Sequence, residues 1–504
     1  MPDDIRYAVY PSAKVYRNGD QVQHLIWGDW VKVTGPSQNG MVPVHTRETD
    51  GEMKEDDLQP ERLLEVVFVD VGQGDGCLIV TPDDKKIIVD AGVSDNLYRF
   101  LNWRFRFRGG VREFDAAIIT HPDADHYAGF GRFFDDQNLR FGRIFHNGIM
   151  EQKGKPFGPE LPEGKNKYIT GLMVTTADLQ GFLADEDRYG QKPYPNLLKK
   201  GLARLAAGGD VSMLAASGVP STPAYVPGYG PENALRLRIL GPVPESDGAG
   251  IPRLPWLRDR PDGGSFDEGK TKNGHSVLIM LEYRGVSILL GGDLNSSGEV
   301  YLLGRYTGLP WPPADGNAEK TMVEAGRLHF GADIMKCCHH GSADFTDAFL
   351  RAVHPAATVV SSGDEESHAH PRCDTLGALG LHGKGWRPLI FSTELSRSTR
   401  EDEGDMREKV GRLREKIEKE KDAAKKQALS AELDALINEL LKRNVVTYGA
   451  INLRTDGEKA LFAYKLEKAR VSKTRGGKKL ITKWDIYKME KTGGGPLIYV
   501  QPKT

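Results

Sequence analysis

Three things are scarce in these 504 residues: cysteine, long apolar runs and an excess of charge of either sign. Four cysteines, Cys77, Cys337, Cys338 and Cys373, are too few and too irregularly spaced for a disulfide framework, and they fit a reducing compartment. No stretch approaches the roughly 20 apolar residues that span a bilayer. Met1-Pro2-Asp3-Asp4-Ile5-Arg6 has neither the basic nor the apolar part of a signal peptide, so a soluble, cytoplasmic protein with no membrane partner is expected. A formal net charge of −2 excludes a protein that coats nucleic acid with its whole surface, while leaving room for a local basic face. The length allows more than one core, which points to one large catalytic domain with attachments.

What the chain does have is a dense set of metal-ligating groups. The run Ile118-Ile119-Thr120-His121-Pro122-Asp123-Ala124-Asp125-His126 places four imidazole or carboxylate groups within six residues, directly after an apolar strand. Zn²⁺ and Mn²⁺ accept such groups, and a turn at a strand end can point several of them into one space. Polar residues recur wherever other apolar runs stop. Leu64 to Val71 runs into Gly72-Gln73-Gly74-Asp75-Gly76, Ile87-Ile88-Val89 ends in Asp90, and Val286 to Leu290 ends in Gly291-Gly292-Asp293. Ile334-Met335-Lys336 leads to His339-His340-Gly341-Ser342, and Ala357 to Gly363 precedes His368-Ala369-His370-Pro371. Short apolar runs bounded by Gly, Pro and Asp read as strands of a sandwich core, so these groups are expected to converge on one rim of the sheets. His146, which stands alone after a strand, reads as structural.

The attachments separate by pattern. Residues 1–60 alternate short strand-like runs with turns and resemble a small SH3-like β-barrel, the alternative being a strand-rich extension of the main domain. The catalytic domain is assigned to 61–400. Within it, Gly148 to about Asn273 reads as a loop-rich insertion with a helical piece around Leu197 to Ala207 and one strand, Leu235 to Leu240. Residues 401–444 carry apolar positions at helical spacing, Met406, Val410, Leu413 and Ile417 and then Leu429, Leu433, Leu436 and Leu440, around a polar middle. That favours an inserted helical hairpin, serving as a solvated lever, a dimer arm or a clamp for a partner. Residues 445–464, starting at Val445-Val446, return as strands of the catalytic domain. Residues 465–504 form a basic C-terminal segment with Trp484 and Tyr487 among the cations, a composition that neutralises phosphates and stacks bases. A protein partner is expected at the barrel or the hairpin.

Val69-Asp70-Val71-Gly72-Gln73-Gly74-Asp75, Val89-Asp90-Ala91-Gly92, His121-x-Asp123-x-Asp125-His126, Gly291-Gly292-Asp293-Leu294 and Lys336-Cys337-Cys338-His339-His340-Gly341-Ser342 occur in this order. Together they resemble the metallo-β-lactamase superfamily, in particular the metallohydrolase domain of ComEC-type DNA-uptake proteins, over residues 63–395 and again over 446–464. ComEC-type proteins are membrane channels with this domain attached, so uptake through a membrane does not carry over. The resemblance implies an α+β fold, the αββα sandwich, with two divalent ions, Zn or Mn, at one edge.

By position, the resemblance gives His121 and Asp123 to one ion and Asp125 and His126 to the other, with Asp293 bridging them and His340 or His339 completing the second site. Where the superfamily usually has a further histidine, this chain has Asn273-Gly274-His275-Ser276, so Asn273 or His275 is expected to face the metal. Asp90 orients the ligand loop from behind, and Gln73 and Asp75 are placed in the same supporting position. Asp125, Lys336 and His339 are candidate catalytic groups, with Lys336, His339 and Ser342 facing a substrate phosphate. His368 and His370 match a ComEC-like HxHP segment, as substrate ligands or proton donors. Asp123 in place of the usual histidine makes the site harder and shifts its preference from zinc toward manganese. The implied activity is a metal-dependent phosphodiesterase, a nuclease that cleaves DNA with a metal-activated hydroxide. The alternatives are a hydrolase of small esters, lactams or thioesters, or a partner-recruiting protein with a vestigial metal site, since one scaffold hosts many chemistries.

Overall fold

The computed structural model describes residues 4–501 except 106, 108–109, 220, 364–367, 401–402, 442–446, 474–476, 478 and 492–494. Val445 and Val446, the expected start of the return strand, therefore lie outside the described residues, as do parts of the 401–444 and 465–504 segments.

Among the described residues an eleven-stranded sheet and a seven-stranded sheet face each other. The strand Leu64–Val69 shows how sequence dictates this packing. It is buried on both faces, and because side chains alternate along a strand, Val66 and Phe68 enter the core between the sheets while Val67 and Val69 enter a second core beneath outer helices. Gly76–Val80 and Lys86–Ala91 repeat this division, with Ile79, Ile87 and Val89 inward and Leu78, Val80 and Ile88 outward. The opposing sheet supplies Ile279, Leu281, Ile288 and Ile334 to the shared core. The helices Asn96–Phe105, Phe130–Asp135 and Pro193–Leu202 cover the first sheet. Ser296–Thr307, Gly316–Phe330 and Asp347–Val353 cover the second. The result is a mixed α/β sandwich with helices outside, and no described helix is long and apolar enough to cross a membrane.

The N-terminal residues form a separate seven-stranded antiparallel sheet between Asp4 and Gln59, with Ala8, Val15, Val31, Val42 and Met53 in its core. It leans on the main domain through Ile26, Trp27, Leu63, Leu461 and Ala463. The helices Glu403–Lys419 and Ala423–Leu441 follow the expected helical spacing and are joined by three residues.

Two expectations are corrected. Residues 465–504 hold sheet structure: Lys459–Lys473 and Lys479–Lys491 pair antiparallel, and Leu497–Tyr499 adds a further strand. Half-buried Trp484 and Tyr487 serve packing there, Trp484 donating its indole N–H to the His24 carbonyl at 3.0 Å. The segment from Gly148 to Asn273 is likewise less loop-like than its glycine and proline suggest. Leu205–Met213 joins the main sheet, ending the expected helix at Leu202, and a four-stranded sheet includes Glu160–Glu163 and Asn166–Ile169. Tertiary pairing overrides local propensity here.

Candidate metal centre

The ligand groups arrive from both sheets. Arg112–Ile118 delivers His121, Asp123, Asp125 and His126 on a turn that becomes the short helix Ala124–Tyr127. Val286–Leu290 of the opposing sheet ends just before Asp293, and Ile334–Lys336 just before His339 and His340. Ligand atoms of Asp125, His126, Asp293 and His340 all lie within 4.8 Å of one another. Asp293 Oδ1 is 3.1 Å from His126 Nε2 and 3.2 Å from His340 Nε2, and His340 Nε2 is 3.6 Å from Asp125 Oδ2. His121 Nε2 stands 3.5 Å from Asp123 Oδ2 and 3.9 Å from Asp293 Oδ2, which makes Asp293 the group that faces both halves of the cluster.

The backbone is forced into shape to achieve this. His339 and His340 both adopt left-handed φ, +48° and +53°, a region uncommon for residues with a side chain and frequent at functional sites. The His339 N–H bonds the Gly292 carbonyl at 3.0 Å, and the His339 carbonyl accepts from Ser342 N–H at 2.8 Å, which holds the turn. Gly74, at φ +103°, is pressed so close to the 123–126 turn that a Cβ would lie 1.7 Å from the Asp125 carbonyl oxygen. This close approach lets Asp75 N–H bond that same carbonyl at 3.2 Å.

Behind the ligands sits a layer of buried polar groups. Asp90 accepts from Thr120 N–H at 2.8 Å and from the Thr120 hydroxyl at 2.7 Å, and lies 2.8 Å from His126 Nδ1. This contact fixes the ring so that Nε2 faces the cluster. The ring of His340 is held by the Ser361 carbonyl, 3.2 Å from Nδ1, with Asp75 Oδ1 beside it at 3.1 Å. Lys336 is buried, pairs with Asp75 and donates to the Gly292 carbonyl at 3.2 Å. It therefore steadies Asp75, which corrects the expectation that it faces a phosphate. Burial disfavours charge on His126 and His340, yet Asp293 and Asp90 around the first and Asp293 and Asp75 around the second raise both well above the ordinary imidazole range. Burial likewise opposes ionisation of Asp293, but the surrounding histidines hold it far below the usual carboxylate range.

The donor set fits a divalent cation. Buried Asp75, Asp90 and Asp293 outnumber the one ammonium, Lys336, that reaches among them, and His121 Nε2 and Asp293 Oδ1 are buried with no hydrogen-bond partner. An imidazole nitrogen and a carboxylate oxygen turned inward without a hydrogen-bond partner are groups that a metal accepts.

The remaining expected residues divide. Asn273, in the amide orientation that presents its N–H₂, donates to Asp123 Oδ2 at 3.0 Å, and Lys272 pairs with Asp123 from the same helix. His275 is buried away from these carboxylates in every contact it makes, with Nε2 2.7 Å from the Pro255 carbonyl and its ring edge-on to Tyr301. Burial accordingly lowers its pKa to about 4. The His370 ring lies 5.8 Å from that of His339 and 6.5 Å from that of His340, and exposed His368 stacks behind it at 5.8 Å. Ser342 is half-buried, its hydroxyl accepting from Asp344 N–H at 3.3 Å. Gln73 contributes its carbonyl to Val93 N–H at 3.3 Å. His146 is structural, its Nδ1 accepting from Gly148 N–H at 3.0 Å. Sequence reasoning missed Lys272, Thr120 and Ser276, whose hydroxyl lies 3.3 Å from His121 Nδ1. All three adjoin assigned residues, His121, Asn273 and His275, and that adjacency was the one available signal.

Comparison with known proteins agrees with this geometry. A family model described as the metallo-beta-lactamase superfamily matches residues 69–141. The chain is 21% identical over 335 residues to ComE operon protein 3 of Bacillus subtilis (strain 168), covering 63% of this chain and 31% of that protein. It is 29% identical over 112 residues to the competence protein ComA of Neisseria gonorrhoeae, covering 22% of this chain and 13% of that protein. The matched region thus spans less than a third of either relative. Among solved structures, a metal-dependent hydrolase from Parabacteroides distasonis ATCC 8503 superposes with a TM-score of 0.29 and 11% identity, over 65% of this chain and 93% of that one. MEM-A1, a subclass B3 metallo-beta-lactamase from a soil metagenome library, gives 0.24 and 12%, over 55% and 77%. Both superpositions are too partial to bear on the assignment, which rests on the ordered motifs, the family match and the two relatives: this chain carries a metallo-β-lactamase superfamily domain of ComEC type.

Proposed function

We propose that this metallohydrolase domain is a phosphodiesterase that cleaves DNA. The observation that carries the reading is the buried, anionic convergence of Asp125, His126, Asp293 and His340, joined to a likeness with ComE operon protein 3 and the competence protein ComA. In this reading Asp125, His126, Asp293 and His340 hold one cation, and His121, Asp123 and Asp293 hold a second. Divalent cations bound there supply Lewis-acid charge for a phosphoryl oxygen and acidify water.

The chain's own residues do the rest. Asp90 and the Ser361 carbonyl keep the Nδ1 atoms of His126 and His340 engaged, so both Nε2 atoms stay directed at the cluster. Lys336 stabilises the Asp75 carboxylate, and Lys272 with Asn273 restrains Asp123. His339 and His370, side by side on the open rim, are positioned to bind a phosphate and return a proton to the leaving oxygen. Phosphodiester cleavage then needs no further protein nucleophile.

The test is cleavage of plasmid and single-stranded DNA by the purified chain with Mn²⁺, Zn²⁺ or Mg²⁺, beside bis(p-nitrophenyl) phosphate and a chromogenic lactam, with a His121→Ala control. Metal-dependent loss of DNA that His121→Ala abolishes is the expected result. Intact DNA with every metal overturns the reading, and turnover of the lactam alone redirects it to small molecules.

A further inference from the structure

The two halves of the metal centre are not equally ready for a cation. On one side, ligand atoms of Asp125, His126, Asp293 and His340 already share one space. On the other, His121 Nε2 faces Asp123 Oδ2 at 3.5 Å, but the Asp123 carboxylate is engaged at both oxygens. Lys272 pairs with Oδ1, and Asn273 donates to Oδ2 at 3.0 Å. An ammonium therefore holds the place beside Asp123 that a divalent ion would need, and like charges so close together repel.

The helix Glu268–Gly274 aims Lys272 at this place. Asp267 caps its start, accepting from Lys270 N–H at 2.7 Å. The Thr271 hydroxyl pins its middle, accepting from Leu257 N–H at 2.9 Å and donating to the Asp267 carbonyl at 2.6 Å. Lys270 is committed elsewhere, to Asp344. The Lys272 side chain is 18% exposed, so its ammonium is largely withdrawn from water and can leave Asp123 only toward another acceptor.

Such an acceptor is at hand. Glu151 is half-buried and close enough to Asp123 and Lys272 for both charges to act on it. Its Oε2 is buried with no hydrogen-bond partner among the described residues, an uncommon condition that calls for a donor. Burial raises the pKa of Glu151 above the ordinary carboxylate value, while Lys192 and Lys272 pull it back, so a closer ammonium would relieve it.

We propose that Lys272 is an internal cation of the His121–Asp123 half-site, which a divalent ion enters only by exchange as the ammonium passes from Asp123 to Glu151. The exchange breaks no covalent bond and moves no proton: Asp123 trades a monovalent neighbour for a divalent one, and Glu151 gains the ion pair that Asp123 gives up. The inference rests on the two-cation reading of the centre and not on its substrate. One ion is then resident and the other conditional on the metal supply.

The full chain, stripped with EDTA and desalted, is titrated calorimetrically with Mn²⁺, and the ions per chain are counted by native mass spectrometry. The parent is expected to take one ion tightly and another about tenfold more weakly. Lys272→Met keeps the length of the side chain without its charge and should tighten the weaker step by about 10–100-fold, the scale of a lost charged hydrogen bond. Lys272→Arg keeps the charge and should keep the gap between the steps. Glu151→Gln leaves the displaced ammonium without a carboxylate and should weaken the second step by about tenfold. Two ions of equal affinity in the parent overturn the proposal, as does a second step in Lys272→Met no tighter than in Lys272→Arg. An unchanged second step in Glu151→Gln removes the destination of the ammonium and with it the exchange. A chain that takes no ion at all overturns the metal centre and this inference together, whereas intact DNA in the cleavage assay with these binding steps in place counts against the phosphodiesterase alone.

Discussion

Asp90→Asn alters hydrogen-bonding chemistry while leaving shape almost untouched. The residue sits at φ +56°, where asparagine is as well tolerated as aspartate, so the backbone has no reason to move. The native carboxylate serves three donors, Thr120 N–H through Oδ1 and both the Thr120 hydroxyl and His126 through Oδ2. An amide has one acceptor oxygen. With that oxygen at the Oδ2 position, the new N–H₂ faces Thr120 N–H, while in the other orientation it faces His126. Either way a buried bond to a charged group is lost, worth about 1.5–3 kcal/mol. If the amide turns away from His126, the ring loses its anchor, and a lost outer partner of this kind weakens metal binding by about 10–100-fold. The assay is a Zn²⁺ competition titration against a chromophoric chelator, together with melts recorded in EDTA. The expected outcome is weaker Zn²⁺ binding and a lower melting temperature in EDTA. A variant that holds Zn²⁺ as tightly as the parent would show that Asp90 does not orient His126, and the derivation of the site from its buried layer would fail.

Two further outcomes are expected. Burial works against the charge of Glu65, but Arg454 and Arg104 more than compensate and depress its pKa from 4.5 to about 2. A depressed carboxylate stabilises the fold fully above its ordinary value and loses that stabilisation as pH falls toward the folded one. Urea midpoints should therefore drop between pH 4.5 and 2 by the equivalent of about 3 kcal/mol. Glu65→Gln should remove this part of the slope and, by stranding two guanidinium groups, cost about 3–5 kcal/mol at neutral pH; an unchanged slope refutes the assignment. Gly74→Ala places a Cβ against the Asp125 carbonyl and should abolish metal retention, whereas Gly154→Ala, with open space at its Cβ, should retain metal as the parent does. Metal analysis after gel filtration distinguishes the two, and equal metal content in both refutes the role given to the close approach.

The parts legible in the sequence were those encoded within one short window. The ligand turn, with His121, Asp123, Asp125 and His126 at fixed offsets after an apolar strand, declares itself because strand end and ligands are contiguous. Asp293 and His340 were legible for the same reason, each following its own apolar run. His275 misled because its position in the chain says nothing of the direction its ring takes, and the Pro255 carbonyl that captures it ends the separate strand Pro252–Pro255. Lys336 misled for a related reason, since its partner Asp75 belongs to the opposite sheet. The basic C-terminal run looked like a tail because alternating Lys with half-buried Ile, Trp and Tyr gives no strong strand period. Its strand character comes from pairing across the hairpin and from the N-terminal sheet, where Gln21 donates to the Ile481 carbonyl at 2.6 Å.

Of the two partners of the strand Leu64–Val69, Gly76–Val80 follows at once but the other is synthesised late. Its register runs from Val69 opposite Ala450 to Leu64 opposite Thr455, so the strand that completes it leaves the ribosome roughly 380 residues afterwards, about 20–80 s at common elongation rates. During that interval Leu-Glu-Val-Val-Phe-Val presents a nearly uninterrupted apolar edge. Such an edge templates pairing with any neighbouring chain, so nascent copies on one message must be kept apart until the C-terminal strands emerge. Slow translation or a truncated message should therefore appear in cells as aggregation well before it appears as lost activity.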